Sequence, residues 1–177
     1  MKLHEVDLCG QHLYLCLNGQ ALFDLYDKFG TKGFITDPLK GSGKKSFEAV
    51  CYYLFKLSEQ GELYRRWQGQ THGPVLTEQF FRVNLAPREV AAAKDAILAA
   101  IVLGFRREEK ETGDLDLGLV ELQKKNGISV TRALWLQLLT QFLRLSVREG
   151  LLLTPGQVMD LQTREERRRE LKREEGA

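Results

Sequence analysis

Apolar and polar residues alternate between positions 3 and 17, with Val6 and Leu8 in one run and Leu13, Leu15 and Leu17 in the next. A period of two turns one strand face toward a core, so the pattern predicts a β-hairpin. Gly10-Gln11 lies between the runs, and glycine at the first central position suits a type II′ turn. A lone hairpin is marginal in water, so this one must lean on a helix.

The spacing then changes to that of helices. Leu22, Leu25, Tyr26 and Phe29 define a short one stopped by Gly30. Thr31 to Lys45, with Gly33, Pro38, Gly41 and Gly43, reads as a loop. Ser46 suits the N-cap of a helix carrying Phe47, Val50, Cys51, Leu54 and Leu57. That helix ends either at Gly61 or, through Tyr64 and Trp67, at Gly69. His72-Gly73-Pro74 is a connector, and a helix follows from about Thr77 to Val83. Pro87 opens an alanine-rich helix to Phe105 that buries Val90, Ala93, Ile97, Ile101 and Phe105.

The pattern lapses at Arg106 to Asp116, a polar stretch that suits a hinge. Leu115, Leu119 and Leu122 mark an amphipathic piece, and Lys124 to Gly127 a turn. Ser129 or Thr131 starts the most apolar helix of the chain, running to about Arg148 and ended by Gly150. Thr154 and Pro155 fit the N-cap and first position of a helical turn with Val158 and Leu161 as its apolar contacts. Thr163 to Glu175 interleaves arginine and glutamate, and the Glu165–Arg169 spacing suits an exposed helical tail. The expected fold is therefore mainly α with a short N-terminal β-hairpin. Its parts are a hairpin-plus-helices domain at 1–107, a hinge at 108–116, a smaller helical module at 117–162 and a charged helical tail at 163–177.

Composition narrows the function. A chain of 177 residues that is 43% hydrophobic and 28% charged has enough apolar mass to fold. Its 26 basic and 24 acidic residues leave a net charge of +2, too balanced for the uncompensated basic face of a nucleic-acid binder. Cys9, Cys16 and Cys51 form no CxxC pair, and His4, His12 and His72 lack metal-ligand spacing, so reduced thiols and no metal are expected. Neither a signal peptide nor a transmembrane run is visible, and a cytoplasmic location is expected.

Candidate chemistry falls away on inspection. Gly41-Ser42-Gly43-Lys44-Lys45-Ser46 imitates a phosphate loop, but Pro38 occupies the first glycine position and Lys45 separates the lysine from the hydroxyl. His72 has no visible partner for general-base work, and Glu48, Glu59 and Glu62 have none for acid–base pairing. No catalytic, cofactor-binding or metal-binding residue is assigned, and the chain is not expected to be an enzyme. The arginines of the tail are interrupted by glutamates and carry no aromatic residue to stack a base.

The helix from Val130 to Arg148 is more informative. Leu134, Leu138, Phe142 and Leu145 form one stripe and Trp135, Leu139 and Leu143 another, together wider than a surface helix usually buries. The residues 117–162 offer little else to cover two faces. Leu134, Trp135, Leu138, Leu139, Phe142 and Leu143 are therefore the candidate partner-binding residues.

The order of elements resembles a known family. The stretch Leu15 to Gly19, the helix Leu22 to Gly30, the helix around Phe47 to Gln60 and Leu85-Ala86-Pro87-Arg88-Glu89 before an alanine-rich helix are similar to the N-terminal part of tail assembly chaperones of long-tailed bacteriophages and prophages. Gly150 to Leu161, followed by the charged Thr163-Arg164-Glu165-Glu166, resembles their C-terminal region. In that family the second half is often produced by a translational frameshift, whereas here it is continuous. The resemblance implies binding to the tape-measure protein and recruitment of the tail-tube protein, and leaves room for self-association. It also implies residence in the host cytoplasm and absence from the mature virion, while the residues themselves lead to the expectation of no nucleic acid, no membrane and no cofactor. A small helical adaptor or regulatory protein, DNA-associated in one version, is the alternative, and a small enzyme with a polar pocket the third.

Overall fold

The computed structural model describes residues 2–30, 34–71, 73–107 and 132–175, and they form a mainly helical protein with a short N-terminal antiparallel hairpin. Strands β1 (His4–Leu8) and β2 (Gln11–Leu15) pair with Val6 opposite Leu13 and Leu8 opposite Gln11. The two turn residues are Cys9 and Gly10, one position earlier than expected. Both have positive φ, 54° and 69°, which is the type I′ signature rather than type II′. Leu8, Leu13 and Leu15 face inward, while Glu5, Asp7 and His12 lie on the other side.

Helix α1 (Gly19–Phe29) starts at Asn18, whose side chain accepts from the Ala21 amide at 2.9 Å. Asn18 is fully buried, and its amide group also donates to Gln60 Oε1 at 3.0 Å, so the cap doubles as a tie to the next helix. Helix α2 (Lys44–Trp67) is the longest, and it passes straight through Gly61. There the bare Cα faces Tyr14: an added Cβ would come within 2.7 Å of the Tyr14 carbonyl carbon and nearer still to its oxygen. The glycine is thus a contact point for the hairpin, and tertiary packing overrides its weak helix propensity. Cys16 N–H donates to the Leu57 carbonyl at 3.0 Å alongside it.

Ser46 is not the N-cap. Gly43 holds that place, and Ser46 sits inside the first turn, buried, donating to the carbonyls of Leu39 and Gly41. The preceding loop is built around a 3-10 turn at Asp37–Leu39 whose Leu39 is buried in the core. Helix α3 (Glu78–Asn84) is capped by Thr77, which accepts from Phe80 N–H at 3.2 Å. A 3-10 turn at Pro87–Glu89 leads into α4 (Val90–Phe105). Glu89 accepts from the amides of Ala86 and Cys9, clasping the hairpin turn to the start of α4.

One core joins these elements. Leu13, Leu15, Leu17, Tyr53, Leu54, Leu57, Phe81 and Ile97 sit in it at or near zero exposure. Each such side chain contributes about 1.5–3 kcal/mol of burial.

The C-terminal part departs most from expectation. Instead of one helix from Val130 to Arg148, there is α5 (Arg132–Gln137), a π-helical turn at Leu138–Phe142, a break, and α6 (Val147–Leu152). Arg144 takes φ 55° at the break, the left-handed conformation that ends helices. Ser146 and Glu149 then form a capping box for α6. Gly150 does not end a helix but lies within α6, where an added Cβ would meet Leu139 Cγ at 3.0 Å. The small helical turn and charged tail are one helix, α7 (Pro155–Glu175), with Thr154 accepting from Gln157 N–H at 3.4 Å as its cap. The hinge at 108–116, the piece around Leu115 to Leu122 and His72 lie outside the described residues.

Candidate partner-binding surface

The six residues singled out from the sequence do not share a free helix face. Trp135 is 5% exposed and Leu139 0%, and with Phe23 of α1 and Val158 of α7 they form a second hydrophobic cluster. The Trp135 ring meets Phe23 edge-on at 5.8 Å, and its indole packs over Gly19. Both residues are core in the folded chain, a correction to their reading as an open surface. The physical reason is the break at Leu143 to Ser146: it folds the apolar stretch back, so that Leu145, Leu151 and Leu153 cover what a straight helix would have left bare. Leu138 and Leu143 are half-buried against the same cluster. The side chain of Leu134 lies outside the described ones.

This cluster is fastened to the first core. Gly19 N–H donates to the Leu153 carbonyl at 2.9 Å. Arg107 reaches Asp160 at 3.0 Å and Thr163 at 2.8 Å. At Gly156 an added Cβ would strike the backbone of Arg106, so α7 crosses the end of α4 at backbone contact. Phe142 stands apart, with the Arg169 guanidinium 4.0 Å over its ring. Together with Gln137, Leu138 and Gln141 they line an open cleft of about 380 Å³.

A different surface is apolar and uncovered. Helix α4 is apolar around almost its whole circumference, which is the character of a helix enclosed on every side. Its inner face, with Ala93, Ile97, Ala100 and Ile101, is buried against α2 and the hairpin. The opposite face shows Ala91, Ala92, Asp95, Leu98 and Val102 to solvent, with Leu98 39% and Val102 69% exposed. Asp95, Leu98 and Val102 follow at three and four residues, so they stand one above another. The sequence could have pointed here, since the polar face of an ordinary surface helix is missing between Val90 and Phe105.

Among the described residues no group of three or more His, Cys, Asp and Glu side chains could hold a metal ion. Burial pushes the Cys16 thiol up to about 12, and burial with the nearby Glu89 carboxylate pushes Cys9 up to about 11. Both thiols are thus held away from their nucleophilic form. No helix among the described residues is long and apolar enough to cross a membrane. No known protein family, curated protein or solved structure matches the chain.

Proposed function

We propose that this chain is a non-enzymatic tail assembly chaperone of a long-tailed bacteriophage or prophage. It binds the tape-measure protein in the host cytoplasm, keeps that protein's apolar stretches soluble, promotes tail-tube polymerisation around it and is left out of the mature virion. The order of elements described from the sequence suggests the family. The observation that carries the binding role is the outer face of α4, where Leu98 and Val102 stand in solvent on a helix with the composition of an interior one.

A holdase for a long, repetitive helical protein needs small apolar sites, each weak, used in many copies along one partner. The α4 face has that scale. Co-expression with the tape-measure protein tests the assignment. Wild-type chain should raise the soluble fraction of that protein and co-purify with it, while the Leu98→Asp, Val102→Asp double variant should do neither. A tape-measure protein equally insoluble with and without the chain would overturn the assignment.

A further inference from the structure

We infer that the outer face of α4 receives a single amphipathic helix of a partner protein, and that this helix carries a lysine or arginine set against Asp95. The inference rests on the binding role proposed for α4 and names the chemistry of what binds.

Three observations support it. The face is a helical ridge, with Ala91 and Ala92 giving way to Leu98 and Val102, so a second helix can approach the alanine end closely and pack its apolar residues around the larger side chains. Asp95 is the one charged residue on that ridge and is exposed, with no ion-pair partner among the described residues. Its neighbour Lys94 does not neutralise it, because the Lys94 ammonium is turned to the Gly41 carbonyl at 2.7 Å. An apolar helix laid on this face partly desolvates the carboxylate, and a facing cation compensates for that loss of water more fully than a neutral or acidic residue does.

A second copy of this chain fits poorly. The face presents six exposed or half-exposed residues, Ala91, Ala92, Asp95, Leu98, Ala99 and Val102, whereas a stable dimer uses about 20–30 a side. A twofold pairing of the face with itself would also bring two Asp95 carboxylates onto the same small patch.

The test uses the full chain and two synthetic stapled amphipathic helices with identical alanine–leucine faces, differing at one flanking residue that is either lysine or glutamate. Fluorescence anisotropy should show the lysine peptide binding the wild type at least about threefold more tightly at low salt, the margin shrinking as salt rises. Asp95→Lys should reverse the preference, and Val102→Asp should remove binding of both peptides while leaving the thermal melt unchanged. Equal affinity for the two peptides, a preference that survives Asp95→Lys, or no binding of either peptide would each overturn the inference. The same variants in the co-expression assay separate the two proposals. Peptide preference without rescue of the tape-measure protein sinks the chaperone role alone. Rescue that ignores Asp95 and Val102 sinks the α4 site alone.

Discussion

Replacing Gly61 with alanine sets helix propensity against packing, and the two differ in sign. In the middle of a helix alanine is favoured over glycine by about 1 kcal/mol. Against this, the new methyl group would lie 2.7 Å from the Tyr14 carbonyl carbon and closer to the oxygen, where ordinary contact begins near 3.4 Å. Strand β2 and helix α2 must therefore part by at least about 0.7 Å, and neither side of the contact is a flexible side-chain tip. Parting them stretches the Cys16 N–H to Leu57 carbonyl bond, and a buried amide left without its acceptor costs about 1–3 kcal/mol. Displaced packing at Leu15, Leu17 and Leu57 adds about 1–3 kcal/mol more. Set against the propensity gain, the expected net loss is about 1–5 kcal/mol. Urea denaturation followed by circular dichroism measures it through the shift in midpoint at constant slope. A variant as stable as the wild type, or more stable, would refute the close approach of hairpin and helix.

Further outcomes follow from the second cluster and the titratable groups. Leu139→Ala should destabilise the fold by about 2–5 kcal/mol, because Leu139 is wholly buried beside Gly150, and a melting temperature equal to wild type would return that residue to the surface. Cys16, with its thiol at about 12, should react with a disulfide reagent at pH 8 only as the chain unfolds, and labelling at the speed of free cysteine would contradict its burial. His12 titrates above its ordinary value because it hydrogen-bonds Asp7 at 2.7 Å, with Glu5 also close at 3.4 Å. A folded value above the unfolded one means that protonated His12 stabilises the hairpin fully below the unfolded value. That contribution disappears as pH rises through the folded one. Proton NMR of the imidazole should therefore show a raised midpoint that falls back in Asp7→Asn, and an unchanged midpoint in that variant would dismiss the pair.

Much of the first core was legible because its signals are local. Alternation at Val6, Leu8, Leu13 and Leu15 marks the hairpin, and Thr77, Pro87, Thr154 and Pro155 stand at the starts of their helices as cap chemistry requires. The turn lies one residue earlier than the glycine suggests, because Cys9 takes a positive φ that composition does not advertise. Gly61 could not be assigned as break or pass-through from the chain alone, since the Tyr14 backbone that makes a glycine necessary there is distant in sequence. The apolar stretch after residue 132 misled for a related reason. Its periodicity continues unbroken through Leu143 and Leu145, and no glycine, proline or asparagine flags Arg144 as the point where the chain turns back. The α4 surface depends on the fold, because a helix apolar all round does not say which side its neighbours leave bare, that of Ile97 and Ile101 or that of Leu98 and Val102.

The Phe23 ring has a consequence for how the chain is made. It belongs to α1, early in the sequence, yet the companions of its cluster are Trp135, Leu139 and Val158, all supplied late. Until those residues are made, the Phe23 ring and the Gly19 amide, which donates to the Leu153 carbonyl, lack the partners that cover them in the full fold. A chain cut after residue 107 would lack all three companions, whereas the full chain covers the Phe23 ring with its own C-terminal helices.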